Sequence, residues 1–486
     1  MVRIPRSRSS LALLIAATVG LSAGSVAAKA TAPAKSGKSS KAAKTAAKKP
    51  SEPKFGPDGF ATIEGEAVGV KLNVQHFKLD NGLRVYVVED HSTPSFALQI
   101  AFNVGSRDEE KGRTGFAHVF EHMMFKGSDN VPEGGHFDYV LGAGGEVNAF
   151  TTADVTQYYE VMPSNYLERA LWLEADRLTS LAVTDENFEN QRQAVLEERA
   201  MRIENQPYSG PLLEFFAKMW EGTGYGHLTI GSKADLEAAQ TSDVKAFFDK
   251  YYVPSNAAMA IVGDVDPDQV KSLVEKYFGP IPAGSPNVRK GKFDHTQKKM
   301  EERVEDPLAQ QPMYVVGWKT VPSTHPDRYA MDILGRVLLD GQSSRLSKIL
   351  VDEKKIALAT VPMPQAASGG RDAGAAMAAF VPVAGKSFED IEPIVLEEID
   401  NVKKKGISAK DLQKALNNIT VEKLSELATN NYRALMIAQG AILEDDPIDF
   451  LEDLDRYQKV TRQDVKRVAN QYLTDKWVVL QIVPKK

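Results

Sequence analysis

His118, Glu121 and His122 stand in the run Gly115-Phe116-Ala117-His118-Val119-Phe120-Glu121-His122-Met123-Met124-Phe125, whose apolar spacing predicts a helix over residues 114–125. Residues four apart on a helix project from one face, so both imidazoles can reach a single metal ion. Glu121, three residues after His118, lies beside them, where a carboxylate can take a proton from water without being a ligand itself. The competing reading is a pair of surface histidines bridged by a glutamate. The apolar neighbours Phe116, Ala117, Phe120 and Met124 argue against a wholly solvated face.

A catalytic zinc ion takes three protein ligands and keeps one position open. The 486 residues include no cysteine, which excludes a disulfide framework, an iron–sulfur cluster and a cysteine nucleophile and leaves His, Asp or Glu as metal ligands. A helix is predicted over residues 185–203, on which Phe188, Gln191, Val195 and Glu198 form one inward stripe. A carboxylate on such a stripe is costly unless it is paired or binds a metal. Glu198 is therefore either the third ligand or the buried partner of an arginine, whereas Glu189, Glu197 and Glu204 read as surface-facing.

The elements that must position these residues follow from periodicity. Period-2 runs over residues 83–88 and 96–102 predict strands, the first opened by the turn pair Asn81-Gly82, and helical patterns cover 166–178 and 242–251. Strands mixed with long helices indicate an α+β chain. A repeat appears at an offset of 221: Asp243-Val244-Lys245 matches Asp464-Val465-Lys466, Tyr251 matches Tyr472, and Ile261-Val262 matches Ile482-Val483. In both places an amphipathic helix runs into a buried strand, which predicts two similar domains, 57–285 and 300–486, joined by a linker rich in proline and basic residues.

Arg3, Arg6 and Arg8 precede an apolar run over residues 11–21 and then small residues, the pattern of a signal peptide over 1–28, with an uncleaved anchor as the alternative. Residues 29–56 are an Ala/Lys/Pro-rich stretch too poor in apolar residues to build a core, read as a tether. The first 55 residues carry three Arg and eight Lys against Glu52 alone, a charge of +10, so the rest carries −16 of the overall −6. An acidic body of this kind argues against nucleic-acid binding.

The motif His118-x-x-Glu121-His122, with Glu198 76 residues after His122, resembles the pitrilysin/insulinase family of zinc peptidases. Further matches are Gly105-Ser106-Arg107-Asp108-Glu109, Gly145-Glu146-Val147-Asn148-Ala149-Phe150-Thr151, Val262-Gly263-Asp264-Val265 and Asp340-Gly341-Gln342-Ser343-Ser344-Arg345-Leu346. The resemblance implies two tandem α/β sandwich domains, each a mixed sheet covered by helices, forming half of a clamshell chamber. It implies one zinc ion on His118, His122 and Glu198, Glu121 as the base, and a substrate-binding edge strand containing Asn148, Ala149 and Phe150, with Asn148 a donor to the scissile carbonyl.

Two features depart from the family pattern. Gln191 stands where many relatives have a second Glu, keeping a hydrogen-bonding role behind the metal but no charge. The Arg and Tyr that active single-chain relatives carry in their second domain fall on Val351 and Leu358, which donate no side-chain hydrogen bond. The expectation is therefore an exported zinc endopeptidase, periplasmic in a Gram-negative cell and otherwise secreted or envelope-associated. It would act on short or unfolded peptides with a homologous partner subunit that lacks the zinc motif and supplies Arg and Tyr. A homodimer using Tyr432 or Arg433, a non-catalytic architectural member and a zinc-binding peptide carrier are the alternatives.

Overall fold

The computed structural model describes residues 54–67, 69–289, 296–363, 371–372 and 374–485. The expected leader and nearly all of the expected tether lie outside the described residues.

The first domain runs β1 (Ala61–Ala67), β2 (Val70–Lys78), β3 (Arg84–Glu89), β4 (Ser95–Phe102), α1 (Phe116–Met123), α2 (Gly135–Leu141), β5 (Glu146–Thr151), β6 (Thr156–Pro163) and α3 (Leu167–Ser180). It continues through α4 (Asp185–Arg199), α5 (Ser209–Met219), α6 (Lys233–Ala238), α7 (Thr241–Tyr251), β7 (Ala257–Gly263) and α8 (Pro267–Phe278). The second domain has β8 (Met300–Asp306), β9 (Met313–Lys319), α9 (Arg328–Leu339), β10 (Ala357–Met363), β11 (Ala375–Pro382), α10 (Phe388–Lys405) and α11 (Ala409–Leu427). It ends with α12 (Asn430–Leu443), α13 (Asp453–Lys459), α14 (Arg462–Tyr472) and β12 (Val478–Pro484).

The strand orders are β1-β2-β3-β7-β4-β6-β5 and β10-β11-β9-β12-β8. β7 lies parallel to β3 and antiparallel to β4, and β12 lies parallel to β8 and antiparallel to β9. The second sheet thus repeats the plan of the first from β3 to β5. The offset of 221 seen in the sequence also separates the first residues of α3 and α10, α5 and α12, α7 and α14, and β7 and β12. The predicted helix over 185–203 divides into α4 and a π-helical turn, Ala200–Glu204, immediately after Arg199.

Each sheet has one face covered by its own helices and the other by a helix of the opposite domain. On β4, Phe96, Leu98, Ile100 and Phe102 join the core of the first domain's helices, while Ala97 and Ala101 face the other way. There Ala434, Ile437, Ala438 and Ala441 of α12 pack against them and against Ala258 and Ala260 of β7. Alanine on both surfaces lets helix and sheet approach closely at close-packed density. In return, Leu212, Phe215 and Met219 of α5 pack against Met313, Val315, Leu480 and Ile482 of the second sheet. Gln99 of β4, buried in the first exchange, is satisfied: its Nε2 donates to Asn431 Oδ1 at 2.6 Å and its Oε1 accepts from Gln157 Nε2 at 2.8 Å. Arg107 reaches from the first domain to Asp372 of the second at 2.7 Å.

The expected linker is tied down where it is described. Asn287 N–H donates to Asn256 Oδ1 at 2.8 Å and Arg289 pairs with Asp108 at 2.6 Å, so the chain up to residue 289 runs along the first domain.

Behind the metal-motif helix lies a fully buried polar group. His136 Nε2 is 2.6 Å from Glu160 Oε1, and Arg177 pairs with Glu174. One arginine cannot neutralise two buried carboxylates, and burial pushes Glu160 up to about 7 and His136 down to about 3. Because the folded-state pKa of Glu160 lies above its unfolded value, the stability tied to its protonation is full at low pH and lost as pH rises through about 7. Glu160→Gln keeps a donor to His136 without the charge. It should raise thermal stability above pH 8 by on the order of 1–3 kcal/mol and change it little below about pH 4, where Glu160 is protonated in both states, as read from paired melts. An equal shift at both pH values would contradict this.

Candidate metal centre

α1 buries Phe116, Ala117, Val119, Phe120 and Met123. Phe120 sits among Phe247, Phe248 and Tyr252 at ring-centre distances of 5.7, 5.6 and 5.1 Å. That anchoring turns His118, Glu121 and His122 toward α4. The nitrogens His118 Nε2 and His122 Nε2 lie 3.6 and 3.4 Å from one oxygen, Glu198 Oε2. Glu198 Oε1 pairs with Arg202 Nη1 at 2.8 Å, so the arginine expected for a buried carboxylate is present while Oε2 faces the histidines. Arg202 lies four residues after Glu198, within the π-helical turn Ala200–Glu204.

Glu198 Oε2 is buried and has no hydrogen-bond partner among the described residues. An ion held tetrahedrally at about 2.0–2.2 Å spaces its ligand atoms about 3.3–3.6 Å apart, the spacing found here. Two imidazoles and one carboxylate whose inward oxygen is orphaned fit a zinc ion. Burial, reinforced by the neighbouring His122, holds His118 down to about 4, so its ring is a neutral ligand at ordinary pH. His122 is buried too, yet the nearby Glu198 and Glu121 carboxylates raise its pKa overall. For Glu198, burial pushes upward but the nearby His122, His118 and Arg202 hold the carboxyl below its ordinary value.

Glu121 brings a carboxylate oxygen within 4.8 Å of the histidine nitrogens, and that carboxylate is also held from the sheet. Its Oε2 accepts from Thr151 Oγ1 at 2.6 Å, at the end of β5. Burial raises its pKa, with the Thr151 bond opposing. A cleft of about 360 Å³ opens beside it, lined by Glu121, His122, Phe125, Phe137, Asn148 and Gln191 among others. Gln191 donates to Asn190 Oδ1 at 2.7 Å and also hydrogen-bonds His122, which places it behind the trio.

β5 is the edge strand of its sheet and pairs only with β6 among the described strands. Of its three residues expected to meet substrate, only Asn148 lines the cleft. Ala149 offers its backbone, and its N–H is taken up by Asn148 Oδ1 at 2.8 Å. Phe150 packs toward the cluster under α12 on the other face. Thr151 and Arg202 received no role from the sequence. The contact of Thr151 with Glu121 joins residues on two separate elements, and Arg202 pairs with Glu198 from the residues just beyond α4.

In the second domain Val351 packs against the core from a π-helical turn, and Leu358 is 45% exposed on β10. Neither carries a donor. Tyr432 and Arg433 are engaged within the chain, Tyr432 OH accepting from Lys423 at 3.4 Å and Arg433 pairing with Asp90 at 2.9 Å.

Residues 84–226 match the family described as insulinase, peptidase family M16, and residues 239–419 match the peptidase M16 inactive domain. A zinc protease from Helicobacter pylori, PqqE, is 30% identical over 437 residues, covering 86% of this chain and 96% of PqqE. The chain belongs to the insulinase family of peptidases, M16. Its two domains are tandem M16 domains, and the inactive-domain match covers most of the second. A crystal structure of a protease from Helicobacter pylori superposes with a TM-score of 0.77 at 26% identity, covering 85% of this chain and 99% of that one. The periplasmic protease PqqL from Escherichia coli shares the fold, with a TM-score of 0.67 at 18% identity. This M16 chain is covered over 85% of its length and matches 48% of PqqL.

Chelated and reloaded protein is expected to bind one zinc per chain, with His118→Ala and Glu198→Ala each weakening binding more than about 10-fold. Elemental analysis and chelator competition read this directly. Full occupancy in either variant would reject the trio.

Proposed function

We propose that this chain is the zinc-bearing catalytic subunit of an exported M16 endopeptidase that hydrolyses short or unfolded peptides. The observation that carries the reading is the convergence of His118 Nε2, His122 Nε2 and the unpartnered Glu198 Oε2, with Glu121 fixed beside them by the edge strand. Held by His118, His122 and Glu198, zinc would supply a Lewis acid that acidifies water and polarises a carbonyl.

The chain's own residues account for the remaining steps. Glu121 Oε2 is fixed by Thr151, which leaves Oε1 free to hold the attacking water and receive its proton. Burial makes Glu121 a stronger base than an exposed carboxylate. The proton then passes to the departing amine. β5 receives the extended peptide as an added strand, and backbone pairing of this kind tolerates varied side chains. Asn148 Oδ1 must release the Ala149 N–H for that pairing, and its amide then stands in the cleft beside the scissile carbonyl.

The proposed working form is a heterodimer. Val351 and Leu358 supply no donor for the developing oxyanion, and Tyr432 and Arg433, the residues on which a homodimer would rely, are engaged within their own chain. The match to about half of PqqL supports a two-chain chamber. Export rests on the basic and apolar leader of residues 1–28. No helix of the described residues is long and apolar enough to cross a membrane. A non-catalytic role finds support in the inactive-domain match, but that match covers 239–419, whereas the trio and Glu121 lie within 84–226.

Glu121→Gln should retain zinc and lose more than about 100-fold of turnover on a quenched fluorescent peptide, because an amide holds water but takes no proton. Activity within a few-fold of the parent would remove Glu121 from the role of base. The zinc-loaded chain alone should be slower by about 100-fold or more than its mixture with a homologous chain carrying the Arg and Tyr. Full activity of the single chain would refute the shared site.

A further inference from the structure

Glu109 carries a role that the sequence did not assign. The residue before α1 is Gly115, at φ 95°, which has no side chain to cap the helix. The first N–H groups of a helix lack intrahelical partners, so an uncapped first turn frays. Here the partners come from Glu109: Oε2 accepts from Gly115 N–H and Oε1 from Ala117 N–H, both at 2.8 Å. The carboxylate is completely buried, and His227 Nε2 contacts Oε2 at 3.0 Å from the segment that follows α5. Thr114, one residue earlier, is held by Asp235 through its N–H at 3.0 Å and its hydroxyl at 2.5 Å. A negative group at this end also complements the helix dipole.

The placement bears on one ligand of the trio more than the other. His118 follows Ala117 directly and sits in the first turn, whereas His122 lies one turn further on, where intrahelical hydrogen bonds hold the backbone. We infer that Glu109 is a positioning residue for metal binding, bridging the N–H groups of Gly115 and Ala117 so that His118 is held at the distance from Glu198 that a shared ion requires. His227 secures Glu109 and so acts one step further out. This inference rests on the zinc site proposed above.

The test uses the full chain, stripped and titrated with zinc against a chromophoric chelator, with the visible spectrum of the Co²⁺-loaded form as a report on ligand geometry. Glu109→Gln keeps the volume but offers one acceptor oxygen in place of two. It should weaken zinc binding about 10-fold and shift the Co²⁺ bands, since residues supporting metal ligands typically carry effects of this size. A cap that served stability alone would lower the unfolding temperature of the apo-protein and leave both readouts of the folded protein at their parental values, and that result would overturn the inference. If Glu109→Gln yields no folded protein, His227→Gln decides. It leaves the carboxylate and both backbone bonds in place, a smaller weakening in the same direction supports the inference, and parental affinity with an unshifted spectrum overturns it. Absence of zinc binding by the parent chain would instead sink the site itself, and is distinguished because every variant would then behave alike.

Discussion

A buried carboxylate oxygen with no hydrogen bond is the constraint around which the first domain is arranged. Glu198 Oε2 faces two imidazole nitrogens, of which His118 is neutral at ordinary pH through its own burial. An unsatisfied acceptor costs about 1–3 kcal/mol, and more for a charged group. A cation bound where the three atoms converge, as proposed for zinc, would offset that cost. Arg202 neutralises the other oxygen and holds the carboxylate in orientation, so the charge left over points at the histidines.

Everything that fixes this convergence lies outside the trio. Phe120 and its aromatic neighbours hold the back of α1, Glu109 holds its start, and Thr151 draws Glu121 toward the sheet edge. The sheet itself is closed on its far side by α12 of the other domain, so the two domains are not separable units. Each supplies the helix that covers the other's second face. A substrate strand added at β5 would therefore extend a sheet whose faces are both already buried.

How much of this was legible depended on sequence distance. The i, i+4 histidines and the stripe Phe188, Gln191, Val195, Glu198 are local periodicities, and the structure places Phe188 and Val195 inside and Glu197 outside as read. The 221-residue repeat was visible because the helix-to-strand units repeat without a gap, and it proves to extend back to α3 and α10. The exchange of α5 and α12 was not legible, because an amphipathic face does not state which sheet it covers. Glu109 and Thr151 lie within motifs whose spacing does not reveal their roles, since their partners are backbone N–H groups and a side chain brought near only by folding. The π turn after Glu198 replaces the end of a predicted regular helix, and no periodicity distinguishes the two over one turn.

The duplication offers an internal comparison for the metal site. Ile419 stands 221 residues after Glu198 and is buried in the second core, and α9 presents Ala330, Ile333 and Leu334 inward. Where the histidines are absent, the position that holds a carboxylate in the first domain holds a branched apolar side chain. This is the outcome expected from energetics alone, because replacing a buried charge by a well-packed hydrophobe is neutral or stabilising. The same trade was open at Glu198, in the same fold and on the equivalent helix. Its retention there, with one oxygen facing two imidazoles, accords with the proposed zinc ion, which would supply the compensation that packing supplies in the second domain. The two halves thus divide the work: one keeps a polar site suited to an ion, and the other supplies apolar stability and the helix α12 that closes the first sheet.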